Sequence, residues 1–220
     1  MIYCSKYDAD IKKDLDILCS HIKLPMSLGV TPQNERPRIG DDITQQIAKS
    51  LVMAHHDYNF LCPTIRGIEV NNHSAKEPYE LRLNLHLDVW ADDLHINLLP
   101  VNQLKVTCPF IGSINKYISR ITEGHFFDMV FFIKYIAKPG EETKILSLNP
   151  QFVKDIVNLS LYQNWQLQAN MNTIKFTPRT TPRAFANKMI ELLHYLSSER
   201  VKQIEKDCNA RCKKLKSARI

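Results

Sequence analysis

The residues with the clearest chemical promise fall in one alternating stretch. Glu80, Asn84 and Asp88 recur at every fourth position with Arg82 and His86 between them, while Leu81, Leu83, Leu85 and Leu87 fill the odd positions. A two-residue period is the mark of a strand, so the polar side chains share one face and the leucines the other. A turn at Ala91-Asp92-Asp93 then leads into a second strand, Leu94 to Val101, which brings Asn97 alongside. The two form a hairpin. Oxygen ligands from its neighbouring strands, Glu80 and Asp88 with Asn97 close by, can hold a hard cation such as Mg²⁺. The same residues also suit the polar, solvent-facing side of an ordinary hairpin.

Other sets offer less. With six glycines in all there is no glycine-rich phosphate loop, and no His-Glu-x-x-His occurs. His55-His56 reads as a structural pair at a helix end. Cys208 and Cys212 lie one helical turn apart and can bind metal, meet a partner, or serve as small apolar residues on a packed face. The six cysteines form no Cys-x-x-Cys pair and suit free thiols in a reducing cytoplasm. Asp128 opens an otherwise apolar run, which places it at the exposed first end of a strand.

Charge is unevenly spread. The 29 Lys and Arg against 23 Asp and Glu give +6, and residues 183–220 alone hold ten basic and four acidic residues, leaving the rest near neutral. A concentrated positive segment suits an anionic partner, nucleic acid above all, or is a solvated helix face. At 220 residues and 44% hydrophobic the chain has material for a real core in a single domain, taken as 1–220. No run of 18 apolar residues occurs, which excludes a membrane-spanning helix and leaves no membrane role, and the N-terminus does not read as a secretory signal.

The elements that must position these residues follow from periodicity. Residues 8–24 predict a helix stopped by Pro25, and 25–37 a loop, so 1–37 forms an N-terminal helix and loop. A second helix runs from Arg38 to about Asp57, opened by Asp41 and Asp42. Short strands are expected at 60–62 and 65–70, then the hairpin, a helix over 113–123, a strand buried on both faces over 126–136 and a return strand over 144–148. A short helix near 150–159, a strand near 171–176, a rigid linker over 177–182 and a long basic helix over 183–220 complete the order. The fold class is α/β: a mixed β-sheet flanked by helices, closed by a long C-terminal helix.

In order and spacing these segments resemble type II restriction endonucleases of the PD-(D/E)xK superfamily, and within it the SwaI restriction endonuclease family. The resemblance runs from about Arg38 onward. It rests on Arg38-Ile39-Gly40-Asp41-Asp42, on Glu77-Pro78-Tyr79-Glu80 at the head of the metal-binding strand, and on Gly112 to Ile121. It continues through Glu123-Gly124-His125-Phe126-Phe127 with the apolar run, Asn170-Met171-Asn172 and the helix from Phe185. It implies a restriction-endonuclease-like core and Mg²⁺-dependent hydrolysis of a DNA phosphodiester, with two carboxylates holding the metal and a lysine stabilising charge.

Carried across, Asp42 matches the acid of the early helix and Glu80 the first metal carboxylate. The acid-x-Lys position reads Asn97-Leu98-Leu99, so Asn97 stands for the second carboxylate and Leu99 for the lysine. The expectation is therefore a double-stranded DNA-binding protein with a degenerate centre, needing no cofactor. Two alternatives stay open. One is an active enzyme using Mg²⁺ in which Lys105 and one of Asp88, Asp92 or Asp93 have taken over; the other is a non-catalytic subunit beside a nuclease. The resemblance further implies a homodimer in a prokaryotic cytoplasm. Asn102, Gln103, Asn170, Asn172 and Lys175 are candidates for reading bases, with Lys105, Arg179, Arg183 and the tail for gripping phosphates.

Overall fold

The computed structural model describes residues 5–31, 39–71, 80–87, 90–104, 108–125, 127–162, 164–178 and 180–217. Among the described residues are two sheets and four α-helices: a six-stranded mixed sheet in the order β1-β7-β6-β4-β3-β2, and a three-stranded sheet in the order β5-β9-β8. The α/β class expected from periodicity is what the chain adopts.

The heart of the large sheet is a helix, three antiparallel strands, a second helix and a parallel strand. Helix α2 (Ile39–Tyr58) leads into β2 (Ile65–Asn71), β3 (Glu80–Leu87) and β4 (Trp90–Asn102), each antiparallel to the one before. Helix α3 (Ile114–Glu123) then crosses over to β6 (Asp128–Ile136), which lies parallel to β4. β7 (Glu142–Phe152) folds back on β6, and β1 (Met26–Val30) pairs with β7 as an edge strand.

Alternation along the strands separates two cores. Leu81, Leu83, Leu85 and Leu87 of β3 join Leu94, Ile96 and Leu98 of β4 beneath α1 (Ser5–Ser20) and α2, with Ile11, Leu15, Ile43, Ile47 and Leu51. The opposite face carries Leu99, Val101, Val130 and Phe132 beneath Ile114 and Tyr117 of α3 and Phe185, Met189 and Leu196 of α4 (Pro182–Ser217). β6 is buried on both faces because each core claims alternate residues, which is why its sequence is nearly all apolar.

α3 is fixed at both ends. Ser113 caps its start by accepting a hydrogen bond from the Asn115 amide, and Gly124 closes it in the left-handed region at φ 89°. α4 is seated at its start, where the Lys188 ammonium donates to the Ile156 and Val157 carbonyls. No helix among the described residues is long and apolar enough to cross a membrane.

Several local expectations change. Residues 26–30 form edge strand β1 despite the nearby proline and glycine. Residues 59–61 form a 3₁₀ turn, not a strand. Ala91, Asp92 and Asp93 are not a turn: β4 begins at Trp90 and pairs them with His86, Leu85 and Asn84. No helix forms over 150–159; β7 runs on to Phe152, a 3₁₀ turn spans Val153–Asp155, and β8 (Leu159–Leu161) follows. Residues 171–175 form no strand, and Phe176 makes only an isolated bridge to Ile156. The strand in this region is β9 (Gln166–Ala169), which pairs with both β5 (Phe110–Ser113) and β8.

Asp128 does open β6, but it is buried rather than exposed. The Arg120 guanidinium on α3, itself buried, donates from Nε to Asp128 Oδ1 at 2.7 Å. Burial pushes the Asp128 carboxyl up, and the charges of Arg120, Lys116 and His95 pull the other way. Removing Arg120 leaves the carboxylate buried with its main counter-charge gone. Arg120→Met is expected to cost about 3–5 kcal/mol near neutral pH. Asp128 in that variant has a folded-state pKa raised well above the unfolded value. The cost is therefore smallest below about pH 4, where both states are protonated, and grows as pH rises. Denaturant melts of both proteins at acid and neutral pH check this; an equal loss at both would sink it.

Candidate functional site

The residues singled out in the hairpin meet as the alternation demands. In the β3–β4 register Glu80 stands opposite Asn97, with Asn71 of β2 beyond Glu80 and Val130 of β6 beyond Asn97. Leu99 follows two residues along β4, opposite Phe132, so Asn97 and Leu99 share one face. Asp42 lies exposed in the first turn of α2. That turn approaches β4 closely: a Cβ on Gly40 would sit 3.4 Å from the Pro100 ring. The backbone thus brings the Glu80, Asn97 and Leu99 positions together and sets the start of α2 near β4. The side chain of Glu80 and the whole of Asp88 and Lys105 lie outside the described residues, as do the side chains of Asp92 and Asp93.

What Asn97 does there is structural. Its side chain is buried, and its Nδ2 donates both to the Ile111 carbonyl, at 2.7 Å, and to the Tyr117 hydroxyl, at 3.2 Å. The Tyr117 hydroxyl in turn donates to the same carbonyl at 3.1 Å. One side chain on β4 therefore ties down both β5 and α3. A carboxylate has no proton to offer Ile111, so the neutral amide is the residue that fits. Tyr117 needs Gly112 beside it, since a Cβ there would meet the hydroxyl at 3.1 Å. Leu99 is equally committed, buried in the second core with Ile111, Tyr117 and Phe132. A lysine in its place would carry an ammonium into that core.

These two environments do not fit a bound Mg²⁺ with an activating lysine. Asn97, expected at the second metal position, has its amide nitrogen spent on structure, and Leu99, expected at the lysine position, faces hydrocarbon. Among the described residues no three His, Cys, Asp or Glu side chains converge closely enough to hold a metal ion.

The same face continues as a polar platform. Glu69, Arg82, His95 and Asp128 form a transverse row across β2, β3, β4 and β6. Arg82, Asn84 and His95 are half-buried, whereas Glu69 and His86 are exposed, and Asn84 Nδ2 donates to Glu69 Oε1 at 3.3 Å. α3 packs over β4 and β6 but the β2–β3 side stays polar, which leaves an open shelf of hydrogen-bonding groups beside Lys116. Sequence patterning does not single out His95, Arg82, Arg120 or Tyr117 as functional. Arg120 alone carries a sequence signal: it falls three residues after Tyr117 on the buried face of its helix, where a charge needs a partner.

The residues expected to read DNA lie on separate segments. Asn102 ends β4, donating to the Ala137 carbonyl at 3.4 Å and accepting from the Leu104 amide at 3.0 Å; Gln103 beside it is exposed. Asn170, Asn172 and Lys175 are exposed on the stretch after β9, where Asn170 Oδ1 accepts from the Asn172 amide. Arg183 is exposed at the start of α4, and Arg179 lies outside the described residues.

A family model described as SwaI restriction endonuclease matches residues 4–212. No curated protein matches the chain.

The Asn97 contacts give a direct check. Asn97→Asp is expected to lose about 1–3 kcal/mol at neutral pH, because a carboxylate then faces the Ile111 carbonyl. Below about pH 4 the protonated acid can donate again, and most of that loss should vanish. Thermal unfolding across this range measures it; an Asp variant as stable as the parent at neutral pH would overturn the structural role.

Proposed function

The chain belongs to the SwaI-like restriction endonuclease family, and from that premise we propose that it binds double-stranded DNA as a two-fold dimer while its PD-(D/E)xK centre is degenerate. It does so in a prokaryotic cytoplasm and needs no metal for binding. The observation that carries this reading is the fate of Asn97: the residue standing for the second metal carboxylate is spent joining β4 to β5 and α3. The burial of Leu99 at the lysine position supports it.

Binding does not need that centre. Affinity for a duplex comes mainly from cations that displace condensed counterions, and geometry from hydrogen bonds to phosphates. The exposed Lys206, Arg211 and Lys213 of α4, with Arg183 at its start, supply the first. The polar shelf of β2 and β3 and the side chains of Asn102 and Gln103 supply groups able to contact base edges, where Asn and Gln pair bidentately with adenine.

The test sets a cleavage assay beside a gel-shift. With Mg²⁺ or Mn²⁺ and a broad panel of duplexes, no cleavage is expected, and Asn97→Asp with Leu99→Lys should not create any. Site-specific fragments abolished by Glu80→Ala would instead establish an active enzyme with a relocated centre. The gel-shift should weaken steeply with salt. Replacing Lys206 and Lys213 together by Gln should flatten the slope of log affinity against log salt by up to about 2, at roughly 0.9 for each phosphate no longer neutralised. Absence of any DNA binding, with co-purification of a nuclease, would point to a non-catalytic subunit instead.

A further inference from the structure

Helix α4 is far longer than its seat. It has 36 residues, about 54 Å at 1.5 Å per residue, yet Leu196 is the last buried one among its described side chains, which run to Lys213. Close to that point the Arg200 guanidinium lies 4.7 Å from the Trp165 ring centre. From Val201 to Lys213 every residue is exposed. A helical extension of this length is marginal in water on its own and gains its stability by packing an apolar face.

Such a face is present, and it is not the one already used. The seated half buries Phe185, Met189 and Leu196. A different stripe holds Ile190, Val201, Ile204, Cys208 and Cys212, with Ile190, Val201 and Cys212 spaced 11 residues apart, about three turns each. Ile190 is 51% exposed, Val201 55% and Ile204 63%. Lys206 and Lys213 lie to one side of this stripe and leave its centre without charge. A duplex would seek those lysines; the stripe itself calls for a hydrocarbon partner.

We propose that this stripe pairs with the same stripe of a second copy, the two helices running antiparallel about a two-fold axis at Ile204. The charges beside the stripe select that partner. Turning the helix over at Ile204 sets Val201 against Cys208 of the second copy. On one flank Lys202 then meets Glu205, and on the other Arg200 meets Asp207, and symmetry makes each pair twice. Within one chain Lys202 and Asp207 make exposed, local contacts: Lys202 with Glu199 at 2.9 Å, and Asp207 with Gln203 at 2.9 Å. The surface is self-complementary, as an isologous contact must be. It supplies the two-fold dimer of the proposed function with its interface and rests on that part of the reading, not on DNA binding.

Sedimentation velocity on the full chain without DNA, over a concentration series, tests it. A monomer–dimer equilibrium is expected. Ile204→Glu should raise the dimer dissociation constant on the order of 100-fold, because it places two like charges on the axis. The residue is exposed in the single chain, so an unchanged circular dichroism spectrum shows the fold intact. Lys202→Glu should weaken the dimer, and adding Glu205→Lys should restore it.

Disulfide trapping under copper-catalysed air oxidation fixes the direction. Ile204→Cys should give a 204–204 cross-link and Val201→Cys a 201–208 cross-link. Dominant 208–208 cross-linking in the parent would overturn the antiparallel arrangement. A strict monomer, or a dimer indifferent to Ile204→Glu, would overturn the interface. Loss of DNA binding with the dimer intact would count only against the DNA reading.

Discussion

The geometry of the hairpin face turns on one buried amide. Asn97 reaches from the middle of β4 to the Ile111 carbonyl and the Tyr117 hydroxyl, and those two bonds tie β5 of the smaller sheet and α3 to the larger one. A buried carbonyl without a donor costs about 1–3 kcal/mol, so the strand, the turn and the helix stand or fall together at this point. Gly112 belongs to the same unit, because the Tyr117 ring occupies the space its side chain would need. Asn97 is thus a joint in the scaffold. Leu99, one step along the same face, is joined to the core by the same helix. A carboxylate at the one place or an ammonium at the other would lose these contacts, so each residue is held by the fold around it.

Much of the frame is legible in the sequence because it is written in periods. Four leucines at alternate positions define the inner face of β3, but counting back from the turn expected at Ala91-Asp92-Asp93 would carry Glu80 past Asn97; the two stand directly opposed because β4 already begins at Trp90. The apolar run after Asp128 gives a strand buried twice over, and the long 3.6-residue pattern gives α4. The parts that sequence did not reveal are those without a period long enough to show. β1 is five residues at a sheet edge, and its partner β7 lies more than a hundred residues away. β5, β8 and β9 are three or four residues each and exist only by pairing with one another. Contacts of that kind depend on tertiary placement, which no local pattern encodes.

The site divides in the same way. That Asn97 and Leu99 stand two residues apart on one strand is plain from the residues themselves, but what each of them touches is not. Tyr117 lies twenty residues beyond Asn97 on another element, and only the crossover brings the two together. Asp128 shows the limit from the other side: its place at the head of β6 is readable, yet an acid there is as compatible with solvent as with an ion pair. Arg120, eight residues earlier on the buried face of α3, decides the matter. Once desolvated, each of the two charges is tolerable only because of the other.

These features share a physical logic. Phosphodiester hydrolysis demands a few groups held close together around a metal, so it is lost with one or two substitutions. Duplex binding draws on many weak contacts spread over a large polar surface, and it survives the removal of any one of them. Asn97 and Leu99, one hydrogen-bonding and one apolar, are each matched to the interior around them. α4 shows the complement of that principle at the surface. Its first half is bound to the body, and its second presents lysines on one side and hydrocarbon on another.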